Sequence, residues 1–159
     1  MPPLKIVQDI SEFHRAGEVP GLPTPGFPEE ERIELRKKLI REEVGETLHA
    51  IDEKDLIEVA DGIADSIVVL VGTALEFGID LSAVWAEVHR SNMAKFPLCT
   101  TCNGQGLVGG DRFGLKRGEV VKCTSCEGRG RSLIRREDGK ILKPPGWAPP
   151  DIEAALGLK

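Results

Sequence analysis

The chain contains no tyrosine, and aromatics of all kinds make up only 4% of its 159 residues. A sheet that stacks single-stranded bases displays several rings, so this scarcity argues against that class of nucleic-acid binder. A long apolar run is also missing. The longest, Ile67 to Leu75, contains Gly72 and Thr73 and falls far short of the ~20 residues a membrane span needs. Met1-Pro2-Pro3-Leu4-Lys5 has no apolar stretch of the signal-peptide kind, so the expectation is a cytoplasmic protein with no membrane partner. A net charge of −5 disfavours a broad basic face and ranks nucleic acid low among partners.

The remaining composition is ordinary, with 40% apolar and 30% charged residues, which excludes wholesale disorder. Ile6, Ile10 and Phe13 share one face of a short first helix, with His14 off it. Pro20, Pro23, Pro25 and Pro28 then hold an extended path, apolar enough to lie across a surface. Pro28 and the acids Glu29 to Glu31 start a long helix running to about Asp52, with an apolar stripe of Ile33, Ile40, Val44, Leu48 and Ile51. A second long helix, about Leu56 to Phe77, is apolar almost all round and is expected to be buried on most sides. Asp80 or Ser82 caps a third, to about Ala94. Residues 97 to 132 change character: glycine rises, all four cysteines fall here, and from Cys99 to Ser132 six Lys or Arg outnumber three acids. The expected division is a helical domain over 1–97 plus 133–159, with a ribbon inserted at 98–132. Asp138-Gly139-Lys140 signals a turn, followed by a second proline strap from Lys143 to Pro150.

Acid placement is the most informative feature. Glu42, Glu43 and Glu46 form E-E-x-x-E on the first long helix; Glu58 and Asp61 form E-x-x-D on the second, with Asp65 a turn further. Spacings of three and four put each set on one helical face. E-E-x-x-E alone reads as a solvated surface. Three acids on a helix with almost no other polar residue do not, because buried like charges persist only beside counter-charges or a metal. Two antiparallel helices facing such acids across a groove make an oxygen-rich site suited to Mg2+ or Mn2+.

These motifs resemble the signature of the all-α nucleoside triphosphate pyrophosphohydrolases, in particular the MazG-like branch of phages and bacteria. The similarity extends through Ser91-Asn92-Met93-Ala94-Lys95-Phe96 and to the tail containing Asp138-Gly139-Lys140 and Lys143-Pro144-Pro145-Gly146-Trp147. The resemblance implies an all-α, four-helix-bundle-type assembly that hydrolyses a (d)NTP to the monophosphate and pyrophosphate. It implies Glu43, Glu46, Glu58 and Asp61 as Mg2+ ligands and Glu42, or a carboxylate beside it, as the group that orients or deprotonates water. Asp65 would be a further ligand or steady the others. Asn92 and Lys95 would contact the nucleotide, Lys95 at its phosphates, and His14 lies where the family has a nucleoside-side lid. Phosphoribosyl-ATP or dUTP is the alternative substrate. A zinc adaptor for nucleic acid or protein, its helical part no longer catalytic, is the alternative of another class. His49 could border the site, although an exposed helix position is the plainer reading.

Cys99-Thr100-Thr101-Cys102-Asn103-Gly104-Gln105-Gly106 and Cys123-Thr124-Ser125-Cys126-Glu127-Gly128-Arg129-Gly130 are two copies of C-x-x-C-x-G-x-G. The spacing lets two thiols reach one metal, and the glycines permit the tight turn. Phe113, Leu115, Val120 and Val121 are expected to form the strands between. The pair resembles one zinc site of the DnaJ cysteine-rich domain, which implies one structural Zn2+ held by Cys99, Cys102, Cys123 and Cys126. Finally, three substantial helices are too few to cover the apolar second one, so a homodimer or homotetramer with partly shared sites is expected.

Overall fold

The computed structural model describes residues 4–110 and 113–158. The first three residues, read above for a signal peptide, lie outside it, as do Asp111 and Arg112, counted in the ribbon's charge. Four helices, α1 (Lys5–Ala16), α2 (Glu30–Glu53), α3 (Leu56–Glu76) and α4 (Leu81–Met93), precede a small antiparallel pair, β1 (Leu107–Gly109) and β2 (Val120–Lys122), and a last turn of helix, α5 (Ile152–Ala155). This is the expected all-α fold with a small hairpin beside a four-cysteine cluster. Contacts divide the chain into two compact units, one of Met1–Ala86 with Ile152–Lys159 and the other of Glu87–Asp151.

In the first unit, α2 and α3 form an antiparallel pair. The break between them is two residues long. Lys54 adopts a left-handed conformation (φ 59°) that closes α2, and Asp55 caps α3 by accepting from the Ile57 and Glu58 N–H groups at 3.0 and 3.2 Å. The register follows from cross-pairs. Arg32 meets Glu76, Arg36 meets Thr73 and the Val69 carbonyl, and Thr47 Oγ1 lies 3.3 Å from Ser66 Oγ. The helices approach closely at Gly62, where a Cβ would fall 2.7 Å from Thr47 Oγ1 and 3.2 Å from its Cα. Only hydrogen fits there, so Gly62 sets the spacing between the two acid-bearing faces.

The first proline segment lies along the C-terminal end of α3, as its composition suggests. Leu22 N donates to the Glu76 carbonyl, Gly26 N to that of Phe77, and Phe27 stacks edge-on against Phe77 at 5.6 Å. Asp80 is the α4 cap, accepting from the Ser82 and Ala83 N–H groups; Ser82 is instead buried and accepts from Leu4 N.

Three sequence expectations change. On α1 the buried residues are Ile10 and His14, whereas Ile6 and Phe13 are largely exposed. The α1 face is turned so that an imidazole, not a phenyl ring, packs inward. Second, α3 is covered along its C-terminal half but not along its N-terminal half in the single chain. Leu56 is 80% exposed and Ile57 79%, and Leu48 and Ile51 of α2 are exposed as well. One antiparallel partner and α1 cannot surround a helix that is apolar all round. Third, the first strand is Leu107–Gly109, and Phe113 and Leu115 lie in the loop that follows it. The Cys123 N–H donates to the Gly106 carbonyl at 2.9 Å, so pairing starts directly at the knuckle and uses the first residues after it.

Candidate active site and cysteine centre

The α2–α3 pair places its acids in one neighbourhood. Glu42, Glu46 and Glu58 line a pocket of about 750 Å3 with Gly45, His49, Ala50, Glu53 and Asp55. Half-buried Glu43 stands next to them. Its partial desolvation pushes the carboxyl above the usual range, and the charges of Asp65, Glu46, Glu42 and Asp61 push it the same way, in that order. Glu43 therefore senses acids from both helices.

The helix pairing explains this convergence. Thr47, one turn beyond Glu43, donates its hydroxyl to the Glu43 carbonyl at 2.8 Å and presses against Gly62. Glu43 and Glu46 are thus carried to the level of Asp61 and Asp65. Glu42, Glu46, Glu58, Asp61 and Asp65 are exposed, not enclosed by this chain. All donors are carboxylate oxygens, the ligand type that hard divalent cations select, so the set fits magnesium or manganese. Among the described residues the carboxylates are less tightly gathered than the thiols described below.

The family resemblance also implies roles for His14, Asn92 and Lys95. His14 is buried beside Gly72, where a Cβ would fall 2.6 Å from His14 Nε2 and 2.9 Å from Arg36 Nη2. Burial holds its pKa below the ordinary 6.5, and the Arg36 charge lowers it further against the opposing pull of Glu76. Asn92 and Lys95 belong to the second unit, where Lys95 Nζ donates to Asn92 Oδ1 at 2.8 Å.

Sequence reasoning missed a buried ionic cluster. Glu76, 1% exposed, accepts from Arg32 Nη2 and Nε at 2.7 and 3.0 Å, and its Oε1 lies 3.3 Å from Arg36 Nη1 without a hydrogen bond. Its signals were a single acid in the last turn of an apolar helix and two arginines four apart on α2. Glu53 and Asp55 also line the pocket, and they fall between the two long helices expected from the sequence, outside both acid motifs.

The cysteines form a second centre. Among the described residues they are the one set of three or more candidate ligands whose atoms all lie within 4.8 Å of one another, and all four are buried. Cys99 Sγ is 3.9 Å from Cys123 Sγ, and Cys102 Sγ is 3.7 Å from Cys126 Sγ. Four thiolates around a tetrahedral zinc with Zn–S of about 2.3 Å would be separated by about 3.8 Å. Gly106 N and Gly130 N donate to Cys102 Sγ and Cys126 Sγ at 3.2 and 3.3 Å; backbone N–H groups, that of Cys102 first, hold the Cys99 thiol below its usual range, while burial holds that of Cys102 above it. The group can hold one metal ion such as zinc. A metal held by all four thiols would have no open coordination position.

Residues 10–92, just over half of the chain, match the family described as phosphoribosyl-ATP pyrophosphohydrolase. A stretch of 49 residues, 31% of the chain, is 43% identical to an uncharacterized protein of Acanthamoeba polyphaga mimivirus. That stretch covers 20% of the viral protein, so the chain spans about a fifth of this curated relative. Among the described residues, no single helix is long and apolar enough to cross a membrane.

Proposed function

The chain belongs to the phosphoribosyl-ATP pyrophosphohydrolase family, within the MazG-like all-helical superfamily, and from that premise we propose that it hydrolyses a (d)NTP to (d)NMP and pyrophosphate with magnesium. The observation that carries this reading is the pocket that Glu42 and Glu46 of α2 line together with Glu58 of α3. A triphosphate would be repelled by such a set on its own.

In this reading Glu43, Glu46, Glu58 and Asp61 hold magnesium, with Asp65 as a further ligand or support. Magnesium bound there would offset the triphosphate's charge, polarise the phosphoryl oxygens and lower the pKa of a bound water. Glu42 accepts the proton of the attacking water or orients it. Asn92 and Lys95 bind the nucleotide, with the Lys95 ammonium directed to its phosphates. The cysteine centre binds one structural zinc. A homodimer or homotetramer completes the site, a reading supported by the exposed apolar residues Leu48, Ile51, Leu56 and Ile57 flanking the acids.

The family's description also favours phosphoribosyl-ATP, so that compound belongs in the test beside the nucleoside triphosphates. Pyrophosphate release is measured over the panel with and without Mg2+. Glu46→Ala and Asp61→Ala are expected to lower the rate by at least about a hundredfold while circular dichroism stays unchanged. Retained hydrolysis in both variants would refute the assignment. If no substrate is turned over at all, the adaptor reading takes its place.

A further inference from the structure

The second unit has the opposite charge balance to the chain as a whole. Residues 87–151 carry twelve Lys or Arg against seven Asp or Glu. Several of these cations are committed: Arg90 to Glu87, Arg129 to Glu127 and Arg136 to Asp138. Lys95 and Lys143 are not. Among the described residues neither has a carboxylate partner within ion-pair range.

Both instead gather on one ring. Lys143 Nζ lies 4.0 Å from the Trp147 ring centroid and Lys95 Nζ lies 6.0 Å from it. The two ammonium groups are therefore at most ~10 Å apart, the sum of those distances. The ring is itself fixed. Trp147 Nε1 donates to the Ser91 carbonyl at 2.8 Å, and the buried Ser91 hydroxyl donates to the Ala148 carbonyl at 3.0 Å. Asn92 steadies Lys95 through its amide oxygen. A tryptophan face attracts a cation, which accounts for each lysine singly. It does not neutralise either one, and two like charges held together still favour an anion with more than one charge. Contact with the ring favours these positions of the two lysines, which lessens the side-chain freedom lost on binding.

We propose that Lys95 and Lys143, arranged around Trp147, form a binding site for a diphosphate group, the chemical class shared by a nucleotide's phosphate chain and by free pyrophosphate. The proposal rests on the pyrophosphohydrolase reading for its ligand and extends it from Lys95 to the tail. Trp147 is a positioning residue, since it acts through the lysines. The strap from Lys143 to Trp147 thus has a task that its proline content alone does not suggest.

The test titrates inorganic pyrophosphate into the full chain by calorimetry in magnesium-free buffer, so that binding reports on the cations and not on carboxylate-held metal. Lys143→Gln is expected to weaken binding on the order of tenfold, as loss of one charge-assisted contact does, and Lys143→Arg to restore it. Trp147→Leu should weaken binding with both lysines present, and Trp147→Phe should recover most of it. In nucleotide hydrolysis Lys143→Gln should raise KM by a similar factor and leave kcat nearly unchanged. Pyrophosphate binding indifferent to Lys143 in a normally folded variant overturns the site. If binding depends on Lys143 but the wild-type chain hydrolyses no nucleotide, the site stands and the enzymatic reading falls.

Discussion

His14 shows how a single residue's role depends on what packs against it. By sequence it sits off the apolar face of α1, yet it is among the buried residues, against Gly72 and Arg36. Its pKa is lowered by burial first and by Arg36 second. Below its ordinary value of 6.5, the unfolded chain takes up a proton at His14 that the folded chain resists. This contribution to stability is therefore full above pH 6.5 and declines as the pH falls below it. Urea denaturation at about pH 7.5 and about pH 5.5 should show a lower midpoint at the acidic value, and His14→Gln should reduce the difference. An equal difference in the variant would count against the buried imidazole. The acids were legible in the sequence because they interrupt an apolar pattern. The Arg32–Arg36–Glu76 cluster was not, because its partners are some forty positions apart and meet only through the helix register.

At the scale of elements, helix periodicity and caps located α2, α3 and α4 to within a few residues, and Asp55 and Asp80 cap as carboxylates do. The hairpin was harder to place. Its residues are few and glycine-rich, and a hydrogen bond at the knuckle, not apolar alternation, selects the strands. The buried cluster around the cysteines consists of the four thiols with Val108 packed against them. Metal binding would supply much of its folding energy, about 10 kcal/mol or more for such sites. Metal analysis should find one zinc per chain. Chelation, or Cys123→Ser, should open residues 97–132 to protease while most helical circular dichroism remains. Continued protection after complete metal removal would show that the ribbon folds without it.

For the whole molecule, the decisive fact is the apolar surface that one chain leaves open around its acids. Leu56 and Ile57 are about four-fifths exposed, at 80% and 79%, and stand beside Glu58. Light scattering is expected to give at least a dimer. Leu56→Glu combined with Ile57→Glu should shift it to monomer and lower pyrophosphate release roughly tenfold or more, because the pocket then stays open to water. A wild-type monomer of full activity would exclude a shared site.

The sequence alone determined the element types, the two acid motifs and the paired cysteine knuckles, since each is a spacing of residues within one helix or turn. Tertiary structure decided which faces meet. Gly62 against Thr47 brings α2 close to α3, Glu76 is enclosed by two arginines, and α3 remains uncovered along its acidic half. Such outcomes depend on contacts between residues distant along the chain and on how many helices are available to cover a surface, and no local pattern encodes either.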